Sequence, residues 1–174
     1  MPQPTLIVDG YNLLHASGLA RQSYGPGGLE RARERLLTEL ASWLDESQRR
    51  RTVVVFDARG SFHTYRATQH RHGMRIEFPA RSREADDRIE DLIRENTAPR
   101  SLTVVSGDRR LQRAIERRRG QYESGPQFFR RLRSEAEHQP PEADKPDPTP
   151  PTEREIAQWT VWINGSGETD TNRR

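Results

Sequence analysis

Aspartates stand in this chain at three kinds of place where a carboxylate can do chemistry. Asp9 closes the apolar run in "TLIVDGYN", Asp108 follows the run in "SLTVVSGD", and Asp86 and Asp87 open a helical pattern in "EADDRIEDLI". In open α/β sheets, ligands bind at the edge formed by the carboxyl ends of the strands. Carboxylates gathered there repel one another unless a cation sits among them. Mg²⁺ and Mn²⁺ suit such a pocket, because hard ions take oxygen ligands. One or two such ions activate water and stabilise the leaving oxygen of a phosphodiester. Each acid also has a plainer reading. Asp9 and Gly10 could form a turn, with the glycine supplying an unusual φ. Asp86 and Asp87 could simply complement a helix dipole, and Asp108 could cap the next helix. Read one at a time the plain readings win; read together with Asp9 they lose to a shared site. Asp57, in "VVVFDARG", stays open between a strand-end acid and a turn.

These acids need strands and helices to carry them, and the two signals alternate along the chain. "LIV" and "TVVV" read as buried strands, since neither shows a polar face. Between them, after the loop "SYGPGG", a helical stripe runs from Gly28 to about Leu44 through Leu29, Ala32, Leu36 and Leu40. Residues Ser61 to Gly73 are polar and basic and read as a loop or ragged hairpin, and "MRIEF" as a short strand. A helix follows with Ser82 as its expected cap and Ala85, Ile89, Leu92 and Ile93 on its apolar face. "SLTVVSGD" is a further strand, "RRLQRAIERRRG" a helix stopped by Gly120, and "PQFFRRLRSEAE" another. Such alternation predicts a three-layer α/β/α domain with a mostly parallel central sheet.

The apolar share is 31% and the charged share 32%, too lean for one core throughout. The shortfall lies at the end of the chain. Three segments are therefore expected: a globular domain over 1–134, a proline-rich acidic linker over 135–151, and an amphipathic helix with a tail over 152–174. That last helix has Thr152 and Glu155 as a capping box and Ile156, Trp159, Trp162 and Ile163 on one face. The absence of cysteine excludes disulfides and thiolate chemistry. No apolar run is long enough to span a membrane, and the beginning of the chain lacks a signal-type pattern. The expected location is the cytoplasm. Oligomeric state is not legible. The sequence pI is about 9.8 at a net charge of only +3. Lys145 is the sole lysine, so almost every cation is a guanidinium, a group whose fork matches phosphate oxygens.

"IVDGYN", "VVVFDA", "EADDRIEDLI" and "VVSGDRRLQ", in this order and spacing, resemble the NYN domain, and within it the YacP-like branch of the PIN-like ribonucleases. The resemblance covers Leu6 to Arg133, and Tyr11 and Asn12 complete the motif that names the domain. The final helix with Trp159 also resembles the ends of YacP-like chains. The resemblance implies a PIN-like fold and a metal-dependent endoribonuclease, and in this branch cleavage of mRNA on the ribosome. It makes Asp9 and Asp86 the prime metal ligands, with Asp108 completing the cluster and Asp87 as an adjacent supporting acid. Asn12 is placed to orient a water or a phosphate. One departure stands out: many PIN-like nucleases have a further acid where this chain has Gln112, as is usual in the YacP-like branch. The pocket then holds one ion tightly or borrows a ligand from RNA.

RNA contacts are expected from Arg109, Arg110 and Arg113 beside Asp108, and from the basic loop with Tyr65, Arg66 and Arg71, where aromatics can stack on bases between phosphate-binding arginines. A histidine metal site at His63, His70 and His72 fits no strong spacing template. "GPGG" lacks the lysine and hydroxyl of a phosphate loop and serves a turn. The competing class is a nuclease-inactive RNA- or ribosome-binding module, against which the acids argue, since a pure RNA binder gains nothing from a negative pocket. A phosphatase with Asp9 as nucleophile is weakened by Tyr11, which stands where such enzymes commonly carry a second aspartate.

Overall fold

A computed structural model of the chain describes residues 3–20, 24–57, 68–79 and 84–138. The expected linker from residue 139 onward, the C-terminal helix, the Ser82 cap, His63, Tyr65 and Arg66 lie outside the described residues. The apolar runs form the middle of a sheet: β1 (Leu6–Asp9), β2 (Thr52–Val55) and β5 (Thr103–Val105). β3 (Thr68–Arg71), β4 (Met74–Glu77) and β6 (Gln121–Glu123) complete it, in the order β3-β4-β2-β1-β5-β6. Every pairing is parallel except β3 with β4. β1 lies between β2 and β5, with Val8 beside both Val54 and Val105. The chain leaves β1 for one side of the sheet and later returns to the other. That reversal of strand order opens a crevice at the carboxyl end of β1.

Alternation along the strands divides the core between two faces. Leu6, Val8 and Val54 face one way, with Leu36, Leu40 and Phe128. Ile7, Val53 and Val55 face the other, with Ile89, Ile93, Leu111 and Ile115. The first face is covered by α1 (Gly10–Ala16), α2 (Gly28–Trp43) and α6 (Gly125–His138), the second by α4 (Ala85–Glu95) and α5 (Arg109–Arg117). Burying a side chain of this kind contributes about 1.5–3 kcal/mol, so the sheet position of each acid is held by apolar neighbours rather than by its own charge.

Four elements go beyond the sequence reading. The first is α1, which begins at Gly10 where a turn was one expectation. Gly10 is not among the positive-φ glycines. Its need is for space: a Cβ there would lie 2.4 Å from the ring of Phe56, which is fully buried. The second is α3 (Glu46–Arg50), a single turn closed by a capping box between Asp45 and Gln48. The third is the detail of β3, which takes the hairpin alternative expected for the polar segment and pairs with β4 through a tight turn at His72 (φ 51°) and Gly73 (φ 81°). The fourth is β6, three residues on the far edge. In addition α6 continues to His138, past the expected domain end at 134.

Candidate active site

The carboxylates of Asp9 and Asp108 both serve as helix caps. Asp9 ends β1 and caps α1, its Oδ1 accepting the Asn12 N–H at 3.0 Å. Asp108 caps α5, accepting the Arg110 N–H at 2.6 Å. The plain reading of Asp108 as a cap holds, and Asp9 caps as well; accepting a backbone N–H fixes each carboxylate in place. Asp86 lies in the first turn of α4. That helix has no capping side chain of its own, because Glu84 makes no such bond. The cap comes from just beyond the end of β2, where an Asp57 carboxylate oxygen accepts the Ala85 N–H at 2.7 Å. Asp57 therefore positions the start of α4, and with it Asp86.

Ser106, wholly buried at the end of β5, ties two of these acids together. Its hydroxyl donates to Asp9 Oδ2 at 2.9 Å and accepts the Asp108 N–H at 3.1 Å. Gly107 follows, and a Cβ there would meet the Asn12 amide at 2.4 Å. The side chain of Asn12 thus lies over the short loop between Ser106 and Asp108. Tyr122 donates from its hydroxyl to the Ser106 carbonyl at 2.7 Å.

The electrostatics record how close the acids are. Burial pushes Asp86 up to about 6, and the charges of Asp9 and Asp108 and a hydrogen bond with Asp108 push in the same direction. Burial also raises Asp9, against the hydrogen bonds from Asn12 and Ser106 that lower it. Tyr122 is raised by burial and then by the charges of Asp108 and Asp9. Hard oxygen donors under mutual repulsion are the donor set Mg²⁺ or Mn²⁺ requires. As they stand, no three such groups among the described residues enclose a cation. The two observations are compatible, since charges act over several ångström while coordination needs oxygens about 2 Å from Mg²⁺. The residues fit such an ion in donor chemistry and charge.

Asp87 is engaged by an arginine. Its Oδ1 accepts from Arg110 at 2.8 Å, and Arg110 also bonds both oxygens of Glu90, at 2.7 and 2.8 Å. Arg109, Arg113 and Arg71 are exposed, without a side-chain partner among the described residues. Gln112 bonds Glu116 at 2.8 Å, one turn further along α5. His72 pairs with Glu34 at 2.7 Å, so it is engaged with an acid away from the cluster.

Sequence reasoning missed Ser106, Tyr122 and Arg33. Arg33 is only 4% exposed, and its guanidinium lies 5.3–5.4 Å from the ring centres of Tyr11, Phe56 and Phe78. It bonds the Tyr11 hydroxyl and, at 3.2 Å, the Asp57 carbonyl. A buried cation beneath two site segments links Tyr11 to Asp57. A signal existed: Arg33 interrupts the apolar stripe of α2 between Leu29 and Leu36.

The model of the YacP-like NYN domain matches residues 6–158. Among solved structures, that of Rae1 (YacP) from Bacillus subtilis is similar at 24% identity over 92% of this chain and 84% of that one, with a TM-score of 0.57. A tryptophan-to-leucine variant of the same protein is similar at 27% identity over 76% of each chain, with a TM-score of 0.54. No curated protein sequence matches.

Proposed function

The chain belongs to the family of YacP-like NYN domains, a branch of the PIN-like nucleases, and from that premise we propose that it is a metal-dependent endoribonuclease acting in the cytoplasm on mRNA at the ribosome. The observation that carries the reading is the gathering of Asp9, Asp86 and Asp108 at one edge, where Ser106 bonds both Asp9 and Asp108 and burial, then the neighbouring carboxylates, push Asp86 up to about 6. Such a group is poised for a cation. Asp9, Asp86 and Asp108 would hold a Mg²⁺ or Mn²⁺ ion. When bound, the ion supplies an activated water and charge neutralisation at the leaving oxygen of a phosphodiester.

The remaining work falls to the chain. Ser106 and the Asn12 N–H hold the Asp9 carboxylate in one orientation. The Asp57 cap holds the first turn of α4 at the same edge. Burial and the neighbouring charges raise Asp86 to about 6, and a cation among these acids would favour its ionised, ligating form. Asn12, beside Gly107, is positioned to bind a phosphate oxygen or a water. Gln112, engaged with Glu116, brings no charge to the pocket. With fewer acids to assemble the reacting groups, rate remains to be gained from an aligned substrate, and an mRNA held by the ribosome is aligned.

The test mixes pure protein with labelled RNA and with a chromogenic phosphomonoester, with and without Mn²⁺. Cleavage of RNA alone, dependent on Mn²⁺ and lost in Asp9→Asn, is the expected outcome. RNA binding without cleavage, on naked mRNA and on translating ribosomes alike, would favour a nuclease-inactive binding module and sink the proposal. Equal cleavage of naked and ribosome-bound mRNA would remove the ribosome from it.

A further inference from the structure

A second charged feature lies at the opposite edge of the sheet, where the strands begin. The 3₁₀ turn Pro99–Ser101 precedes β5, and the end of α5 precedes β6. Between them runs a groove of about 640 Å³, walled by Thr97 to Ser101 on one side and Arg117 to Arg119 on the other. No acid lines it. Four arginines do, and they differ in what they touch. Arg118 is fixed, donating to the Arg94 and Asn96 carbonyls at 2.7 Å each. Arg100, Arg117 and Arg119 are exposed, and their side chains have no hydrogen bond or ion pair among the described residues.

Helix-dipole complementarity accounts for cations at the end of α5, and hence for Arg117 and Arg118. It does not account for Arg100, which belongs to a different element. Arg119 closes the helix in the left-handed conformation (φ 60°), its N–H donating to the Glu116 carbonyl at 2.9 Å and that of Gly120 to the Ile115 carbonyl at 3.0 Å. At a left-handed position glycine or asparagine is the easier residue. The conformation belongs to the helix end; the arginine side chain is not needed for it and stays exposed.

We propose that this groove binds the phosphate backbone of folded, helical RNA, separately from the acid edge. Guanidinium forks match phosphate oxygens two at a time. The walls carry no aromatic residue, so bases have nothing to stack on, which disfavours an unstacked single strand. Helical RNA, recognised through shape and backbone, needs only cations on a rigid surface. The proposal rests on the reading that the protein acts on RNA, and it adds a docking surface to that reading.

The experiment uses the full chain, in EDTA for binding. Affinity for an RNA hairpin is followed across salt for wild type and for Arg100→Gln/Arg117→Gln/Arg119→Asn, the asparagine being tolerated at positive φ. Each phosphate-binding arginine removed lowers the slope of log affinity against log salt by roughly 0.9, so with three removed wild type should lose about 40-fold more affinity than the variant between 50 and 200 mM salt. Mn²⁺-dependent cleavage of a short unstructured RNA should be equal in the two proteins. An unchanged hairpin affinity and slope would overturn the proposal. So would equal competition by duplex DNA or polyglutamate, which would mark the groove as a general polyanion surface. Should the triple variant melt below wild type, Arg100→Gln/Arg117→Gln, which leaves the left-handed position alone, decides on the same readout with a change scaled to two arginines. If wild type cuts no RNA yet the variants lose the hairpin, the groove stands and the nuclease reading falls.

Discussion

One sheet presents two edges of opposite character. Where the strands end, Asp9, Asp86 and Asp108 gather at helix N-termini. Where the strands begin, Arg117 and Arg118 stand at a helix C-terminus and Arg100 and Arg119 beside it. In a parallel α/β layering the helices run back against the strands, so every helix dipole has the same sense. Acids that cap helices are thereby sorted to one edge and arginines that end them to the other. The sorting alone is structural. What distinguishes the edges is relief. Asp86, part-buried among like charges, is raised to about 6, whereas Arg100, Arg117 and Arg119 are exposed. The acid edge stores repulsion and the basic edge does not. The acid edge should therefore respond strongly to a single substitution.

Its largest response should be catalytic. Asp9→Asn or Asp86→Asn should lower Mn²⁺-dependent RNA cleavage by about 1000-fold or more, the scale of several kcal/mol of transition-state stabilisation. Arg117→Gln, at the far edge, should leave cleavage of a short unstructured RNA within about twofold. Comparable losses from both edges would break the contrast.

A smaller effect is expected at Ser106. Alanine there strips one hydroxyl from Asp9 and leaves the Asp108 N–H without its 3.1 Å acceptor. Leaving a buried polar group unpaired costs about 1–3 kcal/mol. Denaturant unfolding should register that loss. Because Asp9 also loses its restraint, kcat should fall while RNA affinity, set by arginines, holds. A variant as stable and as active as wild type would show that the hydroxyl positions nothing.

How much of this was legible follows from where the information sits. β1, β2 and β5 were readable because both their faces are buried and the apolar run is unbroken. The acids were readable because each ends a strand or opens a helix. α1 was not, since the seven residues from Gly10 carry too little pattern to tell a helix from a turn, and the reason for Gly10 lies 46 residues away at Phe56. β6 was missed because a three-residue edge strand has one neighbour and no alternation to show. Ser106 and Asp57 act through partners that only the folded sheet brings near. The pairing of Arg110 with Glu90 and Asp87 is likewise a tertiary fact: 20 residues separate Arg110 from Glu90, which lies on another helix.

The repulsion itself can be weighed by pH in metal-free buffer. Asp86 keeps its proton up to about pH 6 in the folded state, against an ordinary value of 3.8. Between those values the folded protein binds more protons than the unfolded chain, so stability falls as pH rises through the window and is flat above it. Asp86→Asn removes the penalty. Its gain at pH 7 should be on the order of 1 kcal/mol, since a partly exposed carboxyl is screened by solvent, and it should vanish near pH 4. Mn²⁺ should stabilise wild type at pH 7 more than the variant. A gain that persists at pH 4 would assign it to packing rather than charge.

The smallest expected effect separates arginines that adjoin the acids. Arg110 is neutralised by Glu90 and Asp87 at 2.7 and 2.8 Å, with about half of its side chain in solvent. A phosphate could recruit it only by displacing those carboxylates. Arg109 and Arg113 have no such partners among the described residues, so a phosphate meets them without a competitor. Arg109→Ala/Arg113→Ala should therefore reduce the salt slope of single-strand binding by roughly 1.4, about 0.7 for each phosphate contact. Arg110→Ala should leave that slope nearly unchanged and cost stability about 1 kcal/mol or less, as exposed ion pairs do. The reverse ranking, with Arg110 dominating the slope, would mean that substrate breaks the Glu90 and Asp87 pairs. Asp87 would then be released beside Asp86, and the acid edge would gain a carboxylate only when RNA is bound.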